Sequence, residues 1–261
     1  MSELTNKIAV IYGAGGAIGG AVARAFAREG AKLFLTGHRL APVEAVARDI
    51  VTAGGVAEAA EVDAVDEQAI DRHLQSVMAK AGRIDISFNA MGNSPTKYLG
   101  PALVDMDLEQ FSMPITSYTT SYFLTARLAA RRMLPNKSGV IMTVCAPPAR
   151  IGTPNGGYGP SQAAKEAMTR YLSAELAPQG IRVICLRSYA MPETETLREI
   201  FESLGKKQGM TWEQFTGYLA GNSHPKRVMT LAELAKVAVF VASDEASGMM
   251  ATVNLSMGTM D

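Results

Sequence analysis

Lys7-Ile8-Ala9-Val10-Ile11-Tyr12-Gly13-Ala14-Gly15-Gly16-Ala17-Ile18-Gly19 is the stretch on which the fold of this chain turns. Residues 7–12 read as a buried strand and run straight into glycine. Val22, Ala23, Phe26 and Ala27 then recur at helical spacing, and Gly30 stands where that helix would end. Strand, glycine turn and helix, in that order, form a cradle for a pyrophosphate. The small residues let the phosphate approach the backbone, and the helix N-terminus meets its charge. Glycine-rich text by itself marks any tight turn; the strand and helix on either side give this one its meaning.

Outward from the cradle the same rhythm repeats. Apolar runs at 32–36, 56–62, 84–88, 140–144, 181–186 and 252–255 read as further strands, separated by helical patterns. The alternation predicts an α/β fold with a doubly wound parallel sheet of about seven strands flanked by helices. No repeat, low-complexity tract or linker interrupts it, so residues 1–261 read as one domain. One segment breaks the rhythm: 190–229, helical by pattern, separates the last two strands. Ligands of such sheets bind beyond the carboxyl ends of the strands, so this excursion is a candidate substrate lid.

Composition excludes several classes of partner. The 25 basic and 25 acidic side chains cancel, which argues against nucleic acid or an anionic membrane surface. No apolar run reaches the length of a bilayer span. The strand that begins by Lys7 leaves no room for a cleaved leader, and a cytoplasmic location is the expectation. Cys145 and Cys185 lie in strand-like apolar text and read as buried free thiols. His38, His73 and His224 are scattered without metal-ligand spacing, so no metal is expected.

Over essentially its whole length the chain resembles the short-chain dehydrogenase/reductase family, whose domain is a single Rossmann-type sheet. Residues 12–19 resemble the family's Thr-Gly-x-x-x-Gly-x-Gly loop, with Tyr12 for the threonine and Ala17 for the middle glycine. The resemblance makes Gly13, Gly15, Gly16, Ile18 and Gly19 cofactor-binding positions. Asp63, beside Ala64, matches the family's adenine-binding acid. Asn89-Ala90-Met91-Gly92 resembles the Asn-Asn-Ala-Gly strand end and keeps its first and last members, Asn89 and Gly92. A helix at 231–243 and a strand at 252–258 also fit.

The second strand ends Leu35-Thr36-Gly37-His38-Arg39. NAD-binding sheets of this architecture place a carboxylate there for the adenosine ribose. Gly37 has none, whereas His38 or Arg39 suits a 2′-phosphate, so NADP(H) is favoured over NAD(H). The plainer alternative is that both are solvated loop residues that start the next helix.

In the family a tyrosine donates the proton and a lysine four residues later lowers its pKa and holds the nicotinamide ribose. A serine orients the carbonyl, and an asparagine supports the lysine through water. Here Lys165 remains, but the tyrosine aligns with Ser161, the serine with Ala146 or its neighbour Cys145, and the asparagine with Tyr118. Tyr158, seven residues before Lys165, has the spacing of the enoyl-acyl-carrier-protein reductase branch, which needs one phenol and no serine. With Pro160 as the first helical residue, Tyr158 would lie on the loop outside the helix. That branch also carries a second tyrosine upstream, where this chain has Pro147-Pro148-Ala149. Tyr158 and Lys165 are the candidate catalytic pair, Ser161 reads as a helix cap, and Tyr118 and Tyr189 are alternative phenols.

By resemblance, Met191 meets the nicotinamide carboxamide and Thr194 the pyrophosphate. Leu197, Phe201, Trp212 and Phe215 give the lid an apolar face suited to an apolar or acyl substrate. A helix at 111–133, rich in small residues, resembles the family's subunit contact and implies a homodimer or homotetramer. The first reading is an NADP(H)-dependent reductase acting on a carbonyl or enoyl small molecule. The alternative, motivated by the vacant catalytic roles, is a nucleotide-binding protein without turnover that acts as a sensor or partner subunit.

Overall fold

A computed structural model describes residues 3–97, 99, 101–150 and 155–259. Among these residues seven strands form one sheet: β1 (Ile8–Tyr12), β2 (Lys32–Gly37), β3 (Val56–Glu61), β4 (Ile86–Asn89), β5 (Gly139–Cys145), β6 (Ile181–Arg187) and β7 (Ala251–Asn254). Their order is β3-β2-β1-β4-β5-β6-β7, and every neighbouring pair is parallel. Each anticipated strand is present, with ends moved by one or two residues.

Side-chain alternation along each strand feeds two separate cores. On β1, Ala9 and Ile11 pack with Leu33, Leu35, Phe88 and Met142 under α1 (Ala17–Arg28), α2 (Leu40–Thr52) and, further along the chain, α8 (Leu231–Ala242). Ile8, Val10 and Tyr12 face the other way, onto α3 (Glu67–Ala81), α4 (Leu108–Met133) and α5 (Tyr158–Leu176). A strand buried on both faces reads as an unbroken apolar run, which is why residues 7–12 were legible. The helix anticipated at 111–133 starts a turn earlier, because Asp107 caps it with a 2.8 Å bond from the Gln110 N–H. Between β6 and α8 lie α6 (Glu195–Ile200), a π-turn at Phe201–Gly205 and α7 (Trp212–Asn222). No described helix is long and apolar enough to cross a membrane.

The strand order reverses direction between β1 and β4, and the crevice at such a switch point is where open α/β sheets hold their ligands. The cradle of residues 13–19 lies there.

Candidate active site

Gly13 leaves β1 with φ +73°, a left-handed conformation that favours glycine. A Cβ at Gly13 would sit 2.8 Å from the Ala90 carbonyl oxygen, so the turns after β1 and β4 touch. A Cβ at Gly19 would land on the Gly13 carbonyl, so α1 can press on the turn only with glycine there. Gly16 is the N-cap of α1 and offers no side-chain acceptor. The first-turn N–H groups of the helix, including that of Ile18, therefore have no cap behind them. Gly15 lies over Pro42 at the start of α2. Bare helix N-terminus, exposed turn and missing side chains fit a dinucleotide pyrophosphate.

At the adenosine end, His38 and Arg39 are exposed just past Gly37, and Arg39 is the extended N-cap of α2 without a side-chain cap bond. Asp63 is exposed and accepts the Val65 N–H at 3.0 Å, while the neighbouring Ala64 is buried. The Asn89 side chain is buried and bonded within the protein. Its amide nitrogen donates to Ser121 and Thr125, each at 2.9 Å, and its oxygen accepts the Met91 N–H at 3.1 Å. The side chain pins β4 to α4.

The buried face of α5 is largely polar: Ser161, Gln162, Lys165, Glu166, Thr169 and Ser173 are all buried. An ordinary helix would bury aliphatics there, so this face departs from what packing alone selects. Lys165 is 1 % exposed, and its ammonium donates to the Val144 carbonyl near the end of β5 at 2.5 Å. Burial pushes its pKa down, partly offset by the Cys185 and Cys145 thiols that face it. The Tyr118 ring lies under it, 5.4 Å from ammonium to ring centroid.

Three assignments around α5 are corrected. Tyr158 is the first residue of the helix and not a loop residue, with Gly157 as N-cap. Pro160 is the third helical residue instead of the first, and it is tolerated because the first N–H groups of a helix lack carbonyl partners anyway. Ser161 does not cap: its hydroxyl donates back to the Tyr158 carbonyl at 2.6 Å inside the first turn. The Tyr158 ring meets Tyr118 edge-on, with centroids 5.8 Å apart. Burial first, then the neighbouring Tyr118 and Cys145, push the Tyr158 phenol well above its usual pKa.

Sequence reading missed a charged cluster below this pair. Glu166 receives Arg187 through Nε at 2.5 Å and a terminal nitrogen at 2.8 Å, the Cys145 thiol at 3.3 Å and Arg150 at 3.4 Å. Burial alone would raise the Glu166 carboxyl; Arg187, Cys145 and Arg150 together hold it below the usual range. Parallel register sets Cys145 opposite Arg187, and α5 lays Glu166 across both. An acidic residue directly after Lys165 was the available signal.

At the far edge, the Tyr189 hydroxyl donates to the Leu219 carbonyl at 2.7 Å, so this phenol ties α7 down and does not enter the crevice as an alternative donor. Thr194 is the N-cap of α6 and donates to the Met191 carbonyl at 2.8 Å. Met191 is buried. Ser94, after β4, donates to Glu199 of α6 at 2.8 Å, joining the two sides of the crevice.

The family model described as enoyl-(acyl carrier protein) reductase matches residues 13–256, which include the cradle, α5 and the segment after β6. The chain belongs to the short-chain dehydrogenase/reductase family. (+)-Borneol dehydrogenase 2 of Salvia officinalis is 29% identical over 258 residues, covering 94% of this chain and 85% of the relative. Short chain aldehyde dehydrogenase 1 of Euphorbia lathyris is 30% identical, covering 94% and 84%. Among solved structures, an NAD+-bound xylitol dehydrogenase superposes with a TM-score of 0.89 at 25% identity, covering 98% of each chain. Short-chain dehydrogenases/reductases use a nicotinamide dinucleotide and act on small molecules, and this chain carries that fold with an altered set of residues around its lysine.

Proposed function

We propose that this short-chain dehydrogenase/reductase binds NADP(H) and reduces a carbonyl or conjugated enoyl group of a small molecule with apolar or acyl character. Tyr158 is the proton donor and Lys165 holds the nicotinamide ribose. The observation that carries the proposal is Lys165 itself. Taking an ammonium out of water costs several kcal/mol, and a helix buried for packing alone would place an aliphatic residue there.

The reduced nicotinamide supplies a hydride to the electrophilic carbon. As the carbonyl bond opens, its electron pair moves to oxygen and the Tyr158 hydroxyl gives that oxygen its proton. With an enoyl substrate, hydride arrives at the β-carbon, the Tyr158 hydroxyl hydrogen-bonds the enolate oxygen, and the α-carbon takes a proton from water. The raised pKa of Tyr158 keeps its phenol protonated, as a proton donor requires. Neither version uses a hydroxyl at Ala146.

Preference for NADP(H) rests on the end of β2: Gly37 presents no carboxylate, and His38 and Arg39 are exposed beside the cradle. The apolar ring cluster of Phe201, Trp212 and Phe215, with centroids 5.4 to 6.1 Å apart, supports α6 and α7 as a lid over an apolar substrate. The buried free thiols Cys145 and Cys185 suit a reducing compartment such as the cytoplasm. Family resemblance at α4 supports a homodimer or homotetramer.

A second reading, a nucleotide-binding protein without turnover, is favoured by Ala146 at the serine's place and by Ser161 turned back onto its own helix. Calorimetric titration with NADPH and NADH, followed by a screen of keto and enoyl compounds, separates the two. Tighter NADPH binding with turnover supports the reductase. Binding without turnover on a broad panel supports the second reading, and binding of neither dinucleotide removes the reductase.

A further inference from the structure

We propose that Tyr118 is the positioning residue of Lys165: the face of its ring holds the ammonium in place, and its hydroxyl and edge lock the ring to the loop after β4 and to Tyr158. This deepens the proposed function and rests on Lys165 as the ribose anchor.

The ammonium has three protons to place, and the acceptor among the described residues is the Val144 carbonyl. The ring centroid of Tyr118 lies 5.4 Å away, inside the range of about 6 Å over which a cation is attracted to an aromatic face. Desolvation strengthens that attraction, and both partners are buried. The ring is not free to swing. Its hydroxyl accepts the Asn93 N–H at 3.1 Å, and the amide of Asn93 donates in turn to Ser117 at 2.5 Å, one residue before Tyr118 on α4. On the other side the Tyr158 ring packs edge-on at 5.8 Å. One side chain thus touches the lysine, the proposed proton donor and the crevice loop.

Two properties of the ring are separable. Phenylalanine keeps the π face and loses the hydroxyl; leucine loses the face and keeps an apolar filling of the space. The test compares wild type, Tyr118→Phe and Tyr118→Leu, with thermal melting to establish that each is folded. Calorimetric Kd for NADPH in Tyr118→Phe is expected within about twofold of wild type, and in Tyr118→Leu weakened about threefold to thirtyfold, the span of one buried cation–π contact. In kinetics the change falls on the cofactor KM and leaves kcat much less affected. Equal affinity in folded Tyr118→Leu and wild type overturns the proposal, and loss of turnover in Tyr118→Phe with affinity kept makes Tyr118 the proton donor instead and also overturns it.

A second measurement needs no dinucleotide. The 13Cε resonance of Lys165, assigned with Lys165→Met, is titrated in the three proteins. The groups recorded at this amine are the Tyr118 ring from α4, the Val144 carbonyl and Cys145 from β5, and Cys185 from β6, and only the first changes. Loss of the ring face removes stabilisation of the charged form, so the Lys165 pKa is lower in Tyr118→Leu than in Tyr118→Phe. Equal values overturn the proposal even where neither dinucleotide binds, an outcome that by itself counts against the reading of the whole site and not against Tyr118.

Discussion

Arg187 grips Glu166 with two nitrogens, at 2.5 and 2.8 Å, in a pair whose side chains are 7% and 3% exposed. It lies directly beneath the turn of α5 that carries Lys165. Deleting one partner of such a pair leaves the other charged and buried, which costs about 3–5 kcal/mol. Arg187→Met is therefore expected to lose about that much stability in guanidinium unfolding. Replacing both, as Arg187→Met with Glu166→Leu, restores most of it, because an apolar pair of similar volume carries no desolvation cost. A double variant no more stable than the single one would show that the cluster's contribution is not the pairing of charges.

Arg39 stands exposed at the N-cap of α2, next to the cradle and without a side-chain cap bond. If it meets a 2′-phosphate, Arg39→Ala weakens NADPH binding about tenfold to a hundredfold, the value of one or two hydrogen bonds to a charged group, and leaves NADH unchanged. Calorimetry on both dinucleotides checks this. An equal loss for both assigns Arg39 to the helix start and not to the phosphate.

Tyr158→Phe is expected to lower kcat by about a hundredfold to ten-thousandfold, the contribution of a positioned acid, with NADPH affinity unchanged. The pH profile identifies the titrating group. Tyr158 is held well above its usual pKa, so it stays a donor through mildly alkaline pH. Lys165 is held below its ordinary 10.5, so reduction falls on an alkaline limb below that value. Lys165→Arg moves the limb upward; a limb that stays in place assigns it elsewhere.

The sheet and the cradle were legible because their causes are local: apolar runs buried on both faces, and glycine where another side chain would strike backbone. The polar face of α5 was legible only in part. Lys165 stood out by resemblance, but Glu166 and Arg187 are 21 residues apart and meet only through the packing of α5 on β6. The helix start was misplaced because a proline at the third helical position costs no hydrogen bond, so Pro160 does not mark the first residue. Tyr189 is a plausible phenol donor in sequence, and only the fold shows its hydroxyl committed to the Leu219 carbonyl.

His73, on α3, gives a pH dependence of its own. Its Nδ1 is buried without a hydrogen-bond partner among the described residues, and burial, helped by repulsion from Lys80, lowers its pKa from 6.5 to about 4 against a weaker pull from Glu58. In the unfolded chain the ring titrates normally, so between pH 6.5 and about 4 the unfolded state binds more protons than the folded one. Stability contributed at neutral pH is therefore lost as pH falls through that window. His73→Leu removes the titration. Relative to wild type, the variant is expected to gain stability on going from pH 7 to about pH 4.5, as read from guanidinium unfolding at both values. Parallel losses in the two proteins would mean that His73 reaches water in the native state and contributes nothing to the acid limb.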